Sequence, residues 1–141
     1  MRDLHNNIDV KRGISPVAAV TDNTAYVSQI VDLQGYGSAE FVLALGNNTD
    51  ADATFAVLVE EGDQANLSDA ASVADADLLG TELLAGFDYS DDNEVRKIGY
   101  RGHKRYVRAT VTPSGNSGNV FLAGLWLLGH PQSRPTANLP V

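Results

Sequence analysis

The sequence predicts an all-β protein, a β-sandwich or jelly roll with extended N- and C-terminal arms. Short runs rich in β-branched and aromatic residues recur along the chain. Clusters of Gly, Asn, Asp, Ser and Pro separate these runs, as expected for turns between strands. No segment combines the length and the period of about 3.6 residues that an amphipathic helix requires. A small barrel is the alternative arrangement of the same strands.

Six strands are predicted within the central domain, residues 24–128. They are Thr24–Leu33, Ala39–Leu45, Ala53–Glu60, Val95–Tyr100, Arg105–Thr112 and Val120–Leu128. The second and third strands flank Gly46–Asp50, which has the composition of a turn, so they are predicted to pair as an antiparallel hairpin or meander. Leu67–Ala76 is predicted to form a short helix or a turn, since Asp and Ser disfavour helix interiors.

The last of these strands, Val120–Leu128, is the most hydrophobic segment of the sequence. Trp126 lies inside it and is therefore predicted to be a core residue. Gly124 interrupts it, which indicates a bulge or a close approach of another part of the chain. The segment is too short to cross a bilayer as a helix, and no apolar run of membrane-spanning length occurs elsewhere, so no membrane partner is expected.

Both ends of the chain are predicted to be arms. Residues 1–23 have no regular apolar period, because Asn6, Asn7, Gly13 and Pro16 interrupt it. The first residues also lack the apolar centre of a signal peptide. Residues 129–141 contain three prolines and are predicted to form an extended tail.

Composition excludes several classes of function. The 141 residues suffice for one domain of ordinary size. The absence of Cys excludes thiol catalysis, Cys-ligated zinc and iron–sulfur clusters. A net charge of −8 argues against nucleic acid as a partner, because binding to phosphates needs a basic surface.

The charges are segregated along the chain. No Lys or Arg occurs between Gly13 and Val95, whereas six of the ten basic residues lie between Arg96 and Arg108. Thirteen of the 18 acidic residues lie between Asp50 and Glu94. This pattern predicts one acidic and one basic surface, suited to contacts with identical copies or with another charged protein. The alternative is that the basic side chains pair with acids on neighbouring strands of the same domain.

No motif for catalysis or cofactor binding is present. The three histidines, His5, His103 and His130, are far apart in sequence and lack metal-ligand spacing. Nucleophile-elbow, phosphate-loop and dinucleotide-binding motifs are absent. Adjacent acids such as Asp91 and Asp92 are expected by number alone in so acidic a chain. The sequence therefore predicts neither an enzyme nor a metal or cofactor site.

Several strings together resemble small head proteins of tailed bacteriophages, of the type that decorate, or cement, the capsid. They are Met1–Ile8, Ile30–Tyr36, Ala39–Leu43, Ala74–Gly80, Ile98–Arg108 and Leu127–Pro131. The resemblance extends over nearly the whole chain, although none of the strings is a catalytic signature. It implies a β domain without catalytic residues, whose terminal arms lie along neighbouring subunits.

The resemblance implies a virion structural protein that binds the outer capsid surface and stabilises it, after assembly in the host cytoplasm. The expected partners are the major capsid protein and identical copies, as a trimer, because decoration proteins often occupy three-fold positions. The residues expected to contact these partners are Arg2, Leu4, Arg101, Lys104, Arg105, Arg108 and Arg134. The basic ones would form charge-assisted contacts with carboxylates.

Two other functions remain open at this point. One is a head–tail connector or tail component that assembles as a ring. The other is a β-sandwich module that binds carbohydrate or a host receptor, with Trp126, Tyr36 or Tyr89 stacking on a sugar. The predicted core position of Trp126 argues against the second alternative.

Overall fold

A computed structural model describes residues 2–137 of this protein as two antiparallel β-sheets packed face to face. The strands are β1 (Ile8–Ile14), β2 (Tyr26–Val27), β3 (Val31–Asp32), β4 (Tyr36–Asn48), β5 (Thr54–Gly62), β6 (Ala71–Ser72), β7 (Leu78–Leu79), β8 (Phe87–Asp88), β9 (Val95–Tyr100), β10 (Tyr106–Ser114) and β11 (Val120–Pro131). The helices are one short α-helix, α1 (Glu82–Ala85), and 3₁₀ turns at His5–Asn7 and Asp75–Asp77. None of the helices in this part of the chain is long and apolar enough to cross a membrane. The predicted all-β sandwich is confirmed.

From β4 onward, the long strands alternate between the two sheets. The five-stranded sheet has the order β1-β11-β4-β9-β7. The six-stranded sheet has the order β2-β10-β5-β6, with β3 also paired to β10 and β8 to β5. Consecutive long strands β4 and β5 therefore lie in different sheets, as do β9 and β10.

The predicted hairpin between Ala39–Leu45 and Ala53–Glu60 is wrong. The first of these segments lies in β4, which pairs with β11 and β9, and the second lies in β5, which pairs with β10. The local sequence between them does form a turn, but that turn carries the chain from one sheet to the other. The two strands consequently face each other across the core instead of sharing hydrogen bonds.

The core lies between the two sheets and is built by alternating side chains. Its largest fully buried members are Trp126, Phe41, Leu43, Ile98, Leu128, Val59, Val107, Val111 and Val120. The ring centroids of Phe41 and Trp126 lie 5.0 Å apart, with the rings tilted by 45°, a favourable aromatic arrangement. In β10, Val107 points into the core while Tyr106 and Arg108 are half-buried on the outer face, as the predicted alternation requires. Trp126, which the sequence predicted to be a core residue, is fully buried there.

Gly124 allows a close approach, as the sequence predicts. A Cβ atom at Gly124 would lie 2.7 Å from Cζ of Phe41. A Cβ atom at Gly13 would lie 2.8 Å from Cε2 of the same ring. Two glycines on β1 and β11 therefore make room for one aromatic ring, and the pairing register shifts between Arg12 and Ile14 at this point.

The structure differs from the prediction at the N-terminal segment. Ile8–Ile14 is not irregular but forms β1, an edge strand paired antiparallel with β11. The sequence did not indicate this strand, because β1 has polar or charged residues among its apolar ones and a glycine near its end. Thr24–Leu33, predicted as one strand, contains two strands of two residues each, β2 and β3.

The C-terminal segment begins as part of the sheet. β11 continues to Pro131, and the chain then returns over the 3₁₀ turn at His5–Asn7. Thr136 is buried, and its Oγ1 donates a hydrogen bond to the carbonyl oxygen of Ile8 at 2.6 Å. Its backbone N–H donates to the carbonyl oxygen of Asn6. The rest of the predicted tail, residues 138–141, lies outside the described residues.

Candidate interaction surface

Three of the predicted contact residues form ion pairs within the molecule. Lys104 pairs with Asp63 at 2.6 Å and Arg108 with Glu60 at 2.7 Å. Arg105 binds Asp32 through two hydrogen bonds of 2.9 and 2.8 Å, and its guanidinium lies 5.1 Å from the centre of the Tyr106 ring. These pairs follow the alternative that the sequence left open, in which the basic segment neutralises acids on neighbouring strands. Contacts with a partner would have to compete with them.

The other basic residues fall into two groups, those that form ion pairs within the molecule and those that do not. Lys11 pairs with Asp9, and Arg96 pairs with Asp91 and Glu94. Between residues 2 and 137, the cations outside any ion pair are Arg2, Arg12, Lys97, Arg101 and Arg134. Arg12 and Lys97 belong to β1 and β9 of the five-stranded sheet, and Arg101 directly follows β9. These cations are available to acidic groups of another molecule.

A groove at one end of the five-stranded sheet brings together three of the predicted contact residues. Leu4, Arg101 and Arg134 line it, and its volume is about 460 Å³. Its floor is formed by the adjacent ends of β4, β9 and β11. Leu4 is 67% exposed, although it is a large apolar residue. An exposed leucine beside two unpaired arginines is typical of a protein-binding surface.

A second cleft adjoins this groove and shares Arg101 with it. This cleft has a volume of about 340 Å³, and Tyr36, Lys104 and Arg105 are among the residues that line it. Five of the seven predicted contact residues thus line these two connected depressions: Leu4, Arg101, Lys104, Arg105 and Arg134. Arg108 lines neither of them and sits instead on the outer face of the six-stranded sheet.

Two tyrosines, the buried Tyr100 and the partly buried Tyr36, support this end of the molecule. The hydroxyl of Tyr100 donates a hydrogen bond of 2.5 Å to Glu61 and accepts one from the backbone N–H of Lys104. Burial, together with the neighbouring Glu61 carboxylate, raises the pKa of Tyr100. The hydroxyl of Tyr36 donates to Asp9 at 2.7 Å, and this bond raises the pKa of Tyr36 to about 12. Both tyrosines stay protonated at neutral pH. Tyr100 fixes the loop that carries Lys104, and Tyr36 joins the start of β4 to β1.

The arrangement of polar groups offers no cluster suited to metal binding. Within residues 2–137, no three His, Asp or Glu side chains are close enough to share a metal ion. His130 contacts Ser38, its Nδ1 atom lying 2.9 Å from the serine oxygen, while His103 lines the second cleft. The histidines at residues 103 and 130 thus lie near the basic surface without forming a shared centre.

Sequence reasoning missed one exposed surface, the outer face of the five-stranded sheet. Phe121 and Leu125 on β11 are 48% and 43% exposed, and Val95 on β9 is 64% exposed. The sequence did contain an indication of this apolar face, because the segment Val120–Leu128 is apolar at successive positions. A strand with one face on water normally alternates between apolar and polar residues, so a continuous apolar run indicates that both faces are covered.

The comparison with known proteins identifies the fold. No protein-family model matches the sequence, and no curated protein matches it. Among solved structures, the PBSX exported protein XepA is similar, with a TM-score of 0.56 and 14% sequence identity. The match covers 100% of this chain but 43% of the XepA chain, so this chain spans less than half the length of that protein.

Other solved structures are similar at a lower level. The xylan-binding module CBM15 gives a TM-score of 0.43 at 8% identity, and the match covers 93% of this chain and 95% of that module. The infectious bursal disease virus Gx strain gives a TM-score of 0.46 at 8% identity, with coverage of 91% of this chain and 35% of the viral chain. These likenesses are confined to the sandwich fold, which hosts many unrelated functions.

Proposed function

We propose that this chain is a virion structural protein that decorates the outer surface of a phage head and stabilises the shell. The observation that carries the proposal is the groove at the end of the five-stranded sheet, which the exposed Leu4 and the unpaired Arg101 and Arg134 line together. Its partners in this proposal are the major capsid protein and identical copies of the chain.

The chemistry of the groove indicates what the capsid surface must offer. Arginine is enriched at protein interfaces because its planar guanidinium binds carboxylates through two hydrogen bonds. An acidic capsid loop with an apolar residue would supply carboxylates to Arg101 and Arg134 and an apolar contact to Leu4. One such contact is weak, but the overall affinity increases when identical copies bind repeated sites on the shell.

The sandwich fold supports this proposal without deciding it. The similar protein XepA is a phage PBSX exported protein, so the same fold occurs in a phage context. Carbohydrate-binding modules have the fold as well. Trp126, which would be the strongest sugar-stacking residue, is fully buried in the core and cannot serve that purpose.

Co-sedimentation with undecorated capsids tests the proposal. The wild-type protein is expected to pellet with capsids and to reach saturation. The double variant Arg101→Glu/Arg134→Glu is expected to bind about tenfold or more weakly, because it opposes acidic groups with new carboxylates. The matched control is Thr112→Glu, a new carboxylate on the outer face of the six-stranded sheet, which is expected to pellet like wild type.

Two results would contradict capsid decoration. One is an absence of pelleting at both low and physiological salt. The other is a stable isolated ring together with a low copy number per virion by quantitative mass spectrometry, which would favour a connector or tail component. Binding to a glycan array would instead favour the carbohydrate-binding alternative.

A further inference from the structure

The two outer faces of the sandwich have different chemistry. On the six-stranded sheet, the outward positions of β5 and β10 carry threonines and the ion pair between Glu60 and Arg108, together with the apolar residues Ala56 and Leu58. On the five-stranded sheet, the outward positions are mostly apolar. They include Ile8, Val10, Val42, Ala44, Leu79, Val95, Phe121, Ala123, Leu125 and Leu127. Apolar residues in contiguous rows on an open sheet mark a surface that another molecule covers.

Three charged residues lie on this apolar face, and the pairing registers fix their places. One row across the sheet contains Glu40, beside Leu127 on β11 and Gly99 on β9. The next row contains Arg12 and Lys97, at opposite sides of Leu125 and Val42. None of the three charges forms an ion pair with another residue in the described part of the chain.

The carboxylate of Glu40 extends over Gly99. A Cβ atom at Gly99 would lie 2.7 Å from Oε2 of Glu40 and 2.9 Å from the Cβ atom of Leu79. Glu40 is partly buried there, and this burial raises the pKa of its carboxyl group, an effect that Lys97 partly opposes. A half-buried carboxylate without an ion pair, seated among apolar side chains, is a group that gains from a cation supplied by a partner.

We propose that the apolar outer face of the five-stranded sheet binds the same face of a second copy, related by a two-fold axis that crosses the strands. The axis lies between the row of Glu40 and the row of Lys97, so it places each row against the other. Lys97 of one copy then lies opposite Gly99 of the second copy, where the Glu40 carboxylate of that copy is seated. The two-fold axis repeats this contact, as in any isologous interface.

Charge complementarity selects this orientation over the other symmetric one. A two-fold axis along the strands would keep each row opposite itself. Lys97 of one copy would then face Arg12 of the second copy, and the ends that carry Arg101 and Arg134 would adjoin their counterparts. Both contacts oppose like charges, which is unfavourable at an interface. The axis across the strands separates the two arginine ends. The interface covers part of each groove, because Ile8, Glu40 and Leu127 line the groove and also lie on the apolar face.

The size of the face is adequate for a stable pair. Four strands of 7, 12, 13 and 6 residues, spaced by about 4.8 Å and rising about 3.4 Å per residue, give a plane of roughly 600 Å². Because the side chains project from this plane, its accessible area is larger and approaches the roughly 800 Å² that each partner buries in a standard interface. Two sandwiches that pack in this way follow the usual aligned packing of sheets.

This inference extends the proposed function, in which identical copies are partners, and it specifies a closed pair in place of the trimer that the family resemblance implies. Its test needs no capsid, so its failure and the failure of capsid binding are distinguishable. The test is the molar mass in solution by light scattering, over a dilution series of the purified full chain. The expected mass at high concentration is twice the chain mass of 15.0 kDa.

Charge exchange identifies the contact. Glu40→Lys and Lys97→Glu are each expected to raise the dissociation constant of the pair about tenfold or more, because each opposes like charges at two symmetric contacts. The combined variant Glu40→Lys/Lys97→Glu is expected to recover most of the wild-type affinity. Leu125→Glu is expected to give the single-chain mass, since it places a carboxylate at the centre of the apolar face.

The control variant is Thr112→Lys, an exposed position on the outer face of the six-stranded sheet, which is expected to keep the wild-type mass. Circular dichroism and Trp126 emission establish that each variant is folded. A wild-type mass of one or three chains would overturn the inference. So would a paired mass that Leu125→Glu leaves unchanged, or a combined exchange that is no tighter than either single variant.

Discussion

Ser28 connects the two sheets through a single hydroxyl group. Its Oγ accepts a hydrogen bond of 2.9 Å from the backbone N–H of Ala109, in the six-stranded sheet, and one of 3.4 Å from Nε1 of Trp126, in the five-stranded sheet. Ser28 is 5% exposed, so water cannot replace these bonds without a rearrangement. Ser28→Ala is expected to lower the free energy of unfolding by about 2 kcal/mol, because two buried N–H groups lose their acceptor.

Urea denaturation followed by Trp126 fluorescence measures this loss. The control is Ser72→Ala, on the short strand β6, where the serine is exposed and the expected change is within about 0.5 kcal/mol. Equal effects of the two substitutions would mean that the Ser28 hydroxyl contributes nothing particular to the core.

Single residues differ in how far the sequence predicts them. Trp126 and Val107 are predictable because strand alternation and apolar context determine burial. The role of Ser28 is not, since nothing in the sequence around it distinguishes a serine that bridges two sheets from one in a surface turn. The ion pairs of Arg105 and Arg108 also require knowledge of which acidic strand lies beside β10, and that is a property of the tertiary fold.

Among the structural elements, the loop between β4 and β5 depends on one carboxylate. Asp50 accepts hydrogen bonds from the backbone N–H groups of Asp52 and Ala53, in its own loop. It also accepts from those of Ser117 and Gly118, in the loop between β10 and β11. The bond from Asp52, then that from Ser117, holds the pKa of Asp50 well below its usual range. Two crossings between the sheets are thus joined at one side chain.

Asp50→Asn is expected to destabilise the protein at neutral pH, since an amide N–H₂ group would face backbone donors. A carboxyl group whose pKa is lower in the folded state contributes stability above its unfolded pKa, and this contribution declines as the pH falls below that value. The stability difference between wild type and Asp50→Asn should therefore be constant above about pH 5 and shrink as the pH falls below about 4. Urea denaturation across this range measures it. A difference independent of pH would contradict the role of the charge.

Except for β1, the long strands were predictable from sequence because each has several residues of apolar alternation or a continuous apolar run. Their assignment to sheets was not, and the hairpin predicted for β4 and β5 shows why. A turn composition indicates that the chain reverses, yet the same residues serve a reversal within a sheet and a crossing between sheets. Strands of two residues, such as β2 and β3, carry no period at all and exist because β10 offers them hydrogen bonds.

On the scale of the whole molecule, the unpaired cations concentrate on one sheet. Arg12 and Lys97 lie on its apolar outer face, and Arg101 and Arg134 line the groove at its end. The opposite end of the sheet carries the acidic loops that follow β4 and precede β9. Charge segregation in the sequence predicted one acidic and one basic surface, but it could not separate the cations used inside the fold from those left for partners. The proposals rest on the cations that form no ion pair inside the fold.

Capsid decoration is tested by cryo-electron microscopy of undecorated capsids mixed with the purified protein. We expect ordered density for this chain on the outer surface in many symmetry-related copies, with the groove of Leu4, Arg101 and Arg134 against an acidic part of the shell. Density confined to the portal vertex, or a shell that remains bare at saturating protein, would contradict capsid decoration.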